Sequence, residues 1–440
     1  MKALKLKSLI RLQIILLISA VNIYAQDWPQ FLGPNRNSTS DQTGILRSWP
    51  ENGPEVLWSV GLGIGYGGPV IKDGKIYILD RDDEVGDIMR CFDLNSGEEL
   101  WDFAYKSAGS ESFPGSRSIP IVDGDHVYSV GPSGDLYCFD VNTHKPVWNK
   151  NVWTDFGGGN IPRWAIAQCP LVYGDLLILA SQAPQAGVVA YEKLSGNVKW
   201  TTPPIGPVGY VSPALVKIGE EDHVVMISAS GGGRGTPEIP GKVAGVDPLS
   251  GDILWEYTNW NCRIPAPSAF DAGEGRVLIT GGYRAGTAMI KIEKLTDGSY
   301  EVEELYKTIE FGSHTKPPVL YKDHFYIQYS TNERRDGLVC MTMDGQIKWK
   351  TKRDPAFDKG SMILVEGLIL ATDGIKSLYL IEPDTSGFKP IVSAEILTSN
   401  AEDERMDSRF PAQNWAPIAL SNGKLLIRDH SQMLCVKVAE

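Results

Sequence analysis

From Gly68 to Trp101 short apolar runs alternate with turn residues. Pro69-Val70-Ile71 is apolar and ends at Asp73-Gly74, a strong turn dipeptide. Ile76, Tyr77 and Ile78 mark a second strand. The acidic loop from Asp80 to Asp87 leads to a third strand, Ile88 to Leu94, and Asn95-Ser96-Gly97 turns into a fourth that carries Trp101. The pattern predicts one small antiparallel sheet. Alone it cannot bury both faces, so it requires neighbours.

Those neighbours are copies of itself. The closing turn DLNSGEELW (Asp93 to Trp101) returns as DVNTHKPVW (Asp140 to Trp148), EKLSGNVKW (Glu192 to Trp200) and DPLSGDILW (Asp247 to Trp255), and in degenerate form as MTMDGQIKW (Met341 to Trp349). The opening strand also recurs, marked by Pro69, Pro120, Pro170, Pro213, Pro267, Pro318, Met362 and Pro417. Intervals of roughly 43 to 55 residues with four strands each are a propeller signature. Pro54 to Val60 reads as a fourth strand with nothing before it, and Ala416 to Val438 holds three strands without a fourth. The two complete each other. The expectation is an all-β fold: an eight-bladed β-propeller of four-stranded antiparallel blades, closed by an N-terminal strand that joins the last blade and removes the ring's edges. Trp58, Trp101, Trp148, Trp200, Trp255 and Trp349 share one phase and are expected to pack between blades. The fifth and seventh units are weakest: Leu295-Thr296-Asp297-Gly298 lacks the following Trp, and Phe388 replaces it in the seventh.

Composition places the ring. Residues 1–25 combine Lys2, Lys5, Lys7 and Arg11 with the apolar run Leu12 to Val21 and the cleavage-like Ile23-Tyr24-Ala25, a secretory signal peptide. The expected location is periplasmic or secreted. Residues 26–53 form an extended segment that Trp28 and Phe31 pin to the propeller's side, and 54–440 form the propeller. A net charge of −12 argues against nucleic acid. Of six cysteines, Cys91, Cys138, Cys340 and Cys435 occupy equivalent third-strand sites, too far apart to bridge, and read as small buried hydrophobes. Cys169 and Cys262 are left as the one pair that could bond. Without CxxC or CxxCH, haem and a zinc knuckle are disfavoured.

Candidate chemistry lies just before each innermost strand, where side chains surround the mouth of the channel. There stand Tyr66, Arg117, Arg163, Trp164, Gln168, Tyr210, Arg263, His314, Lys316, Lys359, Asn414 and Trp415. Loops between second and third strands add Arg234, Tyr283, Arg284, Arg334, Arg335, Arg428 and His430. Arg forks suit carboxylates, phosphates and sulfates, and aromatic faces suit planar rings and sugars. The ligand-binding set is Arg117, Arg163, Trp164, Tyr210, Arg263, His314, Lys316, Lys359, Asn414 and Trp415, and its partner is a small anionic molecule or acidic glycan. The loop Asp80 to Glu84 lacks calcium-loop spacing and reads as a solvated charge run, and GGGRG (Gly231 to Gly235) has no helix to receive a phosphate and reads as a flexible loop. The charged insertion Thr398 to Phe410 reads as a solvated loop.

The repeated [D/E]-x-x-[S/T]-G-x-x-x-W turn, the eight units and the swapped closure resemble the quinoprotein-like propeller family. The start DWPQFLGPNRN is similar to that of propellers from environmental bacteria, some associated with polysaccharide breakdown. The resemblance implies two functions. One is a pyrroloquinoline quinone (PQQ) site for alcohol or sugar oxidation, with Ca²⁺ held by Glu, Asn and Asp beside a catalytic Asp. The other is a non-catalytic periplasmic scaffold, as in the outer-membrane assembly lipoprotein. The adjacent cysteines of many catalytic members are missing, and the mouth carboxylates Asp155, Glu333, Asp336, Asp358 and Asp429 match no family motif. No catalytic residue or metal ligand is therefore assigned.

Overall fold

Each carboxylate-turn-Trp stretch builds a joint between two blades. Asp93 Oδ1 accepts the backbone N–H of Asn95 (2.9 Å) and Ser96 (2.8 Å), which pins the turn. Gly97, at φ 73°, then lies flat. Onto it docks Trp58 of the preceding blade, whose Nε1 donates to Leu94 O at 3.1 Å. The joint recurs as Trp148 on Gly196, donating to Lys193 O (3.0 Å), and as Trp200 on Gly251, donating to Pro248 O (3.2 Å). Glycine and Trp of one motif thus serve opposite neighbours. Where the motif has His144 in place of glycine, the imidazole stacks on Trp101 at 5.2 Å. In the fifth blade Tyr306 substitutes for Trp and covers Gly345. Trp255 departs from the series and donates to His223 Nδ1 of its own blade (2.9 Å).

These joints predict a graded response to added methyl groups. Gly174→Ala meets open space at φ 58° and should cost only the left-handed backbone, about 1–2 kcal/mol. Gly196→Ala also places a Cβ 2.7 Å from the Trp148 ring, adding overpacking of about 1–3 kcal/mol. Equilibrium denaturation of the two variants should rank them in that order; equal losses would mean that Trp148 does not rest on Gly196.

The computed structural model describes residues 26–107, 113–233, 236–330, 335–398 and 413–440. The signal peptide, almost all of the charged insertion, Arg234, Glu333 and Arg334 lie outside the described residues. Eight four-stranded antiparallel blades form the ring, opening at Val70–Lys72, Ile121–Asp123, Leu171–Tyr173, Ala214–Ile218, Phe270–Gly273, Val319–Tyr321, Met362–Val365 and Ala419–Ser421. Five of the marker prolines sit one residue ahead of their strand. The GGGRG stretch contributes to a two-stranded hairpin appended to blade 4, Gly231–Gly233 with Thr236–Ile239. Apolar clusters lie between successive blades; one joins the innermost strands of blades 1, 7 and 8. All six cysteines are buried free thiols, with Cys169 and Cys262 in different clusters.

Closure follows the expected exchange. Val56–Gly61 pairs antiparallel with Gln432–Lys437, setting Trp58 opposite Cys435. Arg428, expected at the mouth, is instead 2% exposed and donates to Gly63 O (2.7 Å) and Gly67 O (3.1 Å). It clasps the last blade to the connection that leads into the first.

The extended segment does not lie on the propeller's side. Trp28 pairs with Ile71 of blade 1, Pro29 O accepts from Val122 of blade 2, and Thr39–Ser40 run parallel to Met362–Val365 of blade 7. Arg36 donates to Pro170 O (3.2 Å) and Pro213 O (2.9 Å), ahead of blades 3 and 4, and Gln42 donates to Leu420 O of blade 8. A segment bonded to innermost strands on opposite sides of the ring lies in its central channel. Asp27 meets Lys72 beside the Asp73-Gly74 turn (2.8 Å), so the plug enters from the face opposite the mouth. Backbone groups of the innermost strands, unpaired on their channel side, account for the placement.

Candidate functional site

With the plug below, the mouth is a blind cup rather than an open pore. Ser38 of the plug, Lys316, Gln328 and Lys359 line a cavity of about 20 Å³ beneath the rim, room for one water.

The expected residues divide into two groups. The first has its donors on the protein itself. Arg117 bridges Phe113 O and Trp164 O (2.5 Å to the latter). Lys316 Nζ donates to Lys359 O (2.9 Å) and Trp415 O (2.6 Å), holding together the connections into blades 6, 7 and 8. Lys359 pairs with Asp358 Oδ1 (2.8 Å), while Asp358 Oδ2 accepts from Trp415 Nε1 (2.8 Å). Asn414 donates to Ile375 O (2.5 Å) and Thr398 O (3.1 Å). These side chains brace neighbouring blades.

The second group faces the cup. Tyr66 lies 5.6 Å from Trp415 and 6.0 Å from Phe113, and its hydroxyl donates to Gln413 Oε1 (2.6 Å). The Lys359 ammonium sits 4.2 Å over the Trp415 ring. Across the mouth, Trp164 meets Tyr210 edge-on at 5.5 Å, the exposed Arg163 covers the Trp164 ring at 5.0 Å, and His314 packs on Tyr283 at 4.6 Å. Arg263 stands exposed. Phe113, Gln413 and the pair Lys352-Arg353 escape the sequence reading; only the basic run from Lys348 to Arg353 signals any of them.

Burial and the nearby Lys359 ammonium push the Lys316 amine from 10.5 down to about 7. Between those values the unfolded chain holds a proton that the folded protein has released, so this group adds stability as pH rises through that window. Denaturation of wild type and Lys316→Met should show a difference that grows in favour of wild type between pH 7 and 10.5. A pH-independent difference would mean that the charged form persists on the two carbonyls.

The described mouth carboxylates Asp358 and Asp429 spend their oxygens on protein donors. Among the described residues no group of three or more His, Cys, Asp or Glu converges as a metal site. Both Asp358 oxygens are taken, and Asp429 accepts from Thr398, Ser431 and Gln432. The mouth gathers the rings of Tyr66, Trp164, Tyr210 and Trp415 with the cations Arg163 and Lys359.

A family model described as outer membrane protein assembly factor BamB matches residues 84–351. Among curated proteins, no match is found by sequence. Solved structures agree in fold at low identity. A quinohemoprotein alcohol dehydrogenase from Comamonas testosteroni is 12% identical, with TM-score 0.64 over 94% of this chain and 81% of that one. A europium-containing methanol dehydrogenase is 11% identical, with TM-score 0.60 over 91% and 89%. BamB from Moraxella catarrhalis is 12% identical, with TM-score 0.56 over 87% and 99%. Among the described residues, no helix is long and apolar enough to cross a membrane.

Proposed function

The chain belongs to the PQQ-repeat family described as outer membrane protein assembly factor BamB, and we propose that it is an exported propeller that binds a ring-bearing anion in its mouth. One observation carries this reading: the exposed Arg163 lies over Trp164, which packs on Tyr210, at the rim of a cup plugged from below. A guanidinium beside an aromatic face offers charge to a carboxylate or sulfate and a surface to a ring. PQQ and acidic sugars both have that chemistry. Among the described residues no three His, Cys, Asp or Glu side chains converge, and Asp358 and Asp429 are committed to protein donors, so the reading is one of binding and not of oxidation.

Calorimetric titration tests the proposal with PQQ and with galacturonate. Arg163→Ala combined with Trp164→Ala should weaken binding about tenfold, roughly 1.4 kcal/mol, and leave the melting temperature nearly unchanged. Wild-type affinity should fall as salt rises. If the double variant binds both compounds like wild type, the mouth does not hold the anion. The scaffold reading would then lead. It has its own support in the match to 99% of the Moraxella catarrhalis BamB chain, a ring of similar extent with little added to it.

A further inference from the structure

A second feature of the same face is not used by the mouth. Between blades 6 and 7 lies a cleft of about 580 Å³, lined by Arg335, Lys352, Arg353, Phe357 and Asp358 among others. Its size falls in the range of small-molecule sites, roughly 300–1,000 Å³. Among the described residues, the carboxylates nearest the cleft are paired elsewhere or exposed. Asp358 has both oxygens committed, to Lys359 and to Trp415. Asp336, next to Arg335, is paired with Lys350 at 3.1 Å. Arg335, Lys352 and Arg353 are exposed, as is Asp354 on the same loop. The loop is held in shape: Arg353 bridges to Ala356, and Phe357 is buried against Tyr379 and Phe388.

The cleft shares a wall with the mouth. Asp358 lines the cleft and at the same time receives the Trp415 indole N–H, and Trp415 belongs to the aromatic arc with Tyr66 and Phe113. A single quinone or monosaccharide in the cup would not also occupy the cleft. A chain of charged rings would.

We propose that the cleft between blades 6 and 7 is a second anion subsite, and that the ligand of this face is an acidic oligosaccharide with one residue in the mouth and another against Arg335 and Arg353. This rests on the mouth reading above. The aromatic planes beside cations in the mouth favour a sugar ring over an acidic peptide, whose carboxylates would need only the cations, and the cleft adds cations for a further charged residue of the same chain.

The test is calorimetry on the full mature chain with galacturonate, tetragalacturonate, uncharged cellotetraose and a glutamate octapeptide. Wild type should bind tetragalacturonate about tenfold more tightly than galacturonate and bind cellotetraose more weakly than either. Arg335→Ala with Arg353→Ala should bind the monomer as wild type does and lose the gain for the tetramer. Arg353→Glu, a single exposed change, should act in the same direction. If the cleft variants keep the gain, the second subsite is wrong and the mouth reading stands. If Arg163→Ala with Trp164→Ala leaves monomer binding intact, the mouth reading itself fails. An octapeptide that binds as tightly as the tetramer would overturn the glycan assignment.

Discussion

Replacing Val56–Gly61 by a Gly-Ser segment of equal length should open the ring and cause a larger stability loss than replacing any one of the blade-joint tryptophans. Equal length keeps the plug tethered, so the loss isolates the strand. That strand supplies the whole fourth position of blade 8, pairing from Val56 opposite Val436 to Gly61 opposite Gln432. It also carries Trp58, the joint onto Gly97 of blade 1. Trp58 is partly buried, so its deletion costs less than the about 3–5 kcal/mol of a fully buried aromatic, and the exposed edge of Gln432–Lys437 adds to it. Thermal melting should show a fall beyond that of Trp58→Ala alone. A segment variant that melts like the full chain would mean that the swapped strand does not hold the ring shut.

Trp200→Ala is expected to cost roughly 3–5 kcal/mol in equilibrium denaturation. Trp200 is 8% exposed, packs in the cluster between blades 3 and 4, and donates to Pro248 O. Trp200→Phe should recover most of the loss, because the ring surface returns and only a hydrogen bond of about 1 kcal/mol is missing. Near-neutral behaviour of Trp200→Ala, at the level of roughly 0.5 kcal/mol seen for surface changes, would remove the docking role.

The candidate site was only partly legible before the fold was known. Position ahead of an innermost strand groups Arg117, Arg163, Lys316 and Lys359 on one rim. Position says where a Cα lies. It does not say where a long, rotatable side chain ends. Arg117 and Lys316 turn inward to backbone carbonyls, and Lys359 turns to Asp358. Arg163 remains over Trp164 at the open rim. Arg428 shows the same limit, since it ends the strand Lys424–Arg428 toward the mouth while its guanidinium is buried against Gly63 and Gly67.

The number of blades, their four strands, the Trp joints and the swapped closure were determined by the sequence itself. Strand alternation and turn residues are local signals, and repetition makes them unmistakable across the chain. What only the tertiary structure decided depends on contacts between distant residues that do not repeat. Arg36 reaches Pro170 and Pro213, 134 and 177 residues away. No periodicity announces such bonds. The Gln26 to Ile45 segment contains few apolar residues and no strand pattern, yet it lies in the channel because innermost strands of blades 1, 2, 7 and 8 offer it backbone groups to bond. The blind cup and the basic cleft exist only once the ring has brought those strands and their connections together.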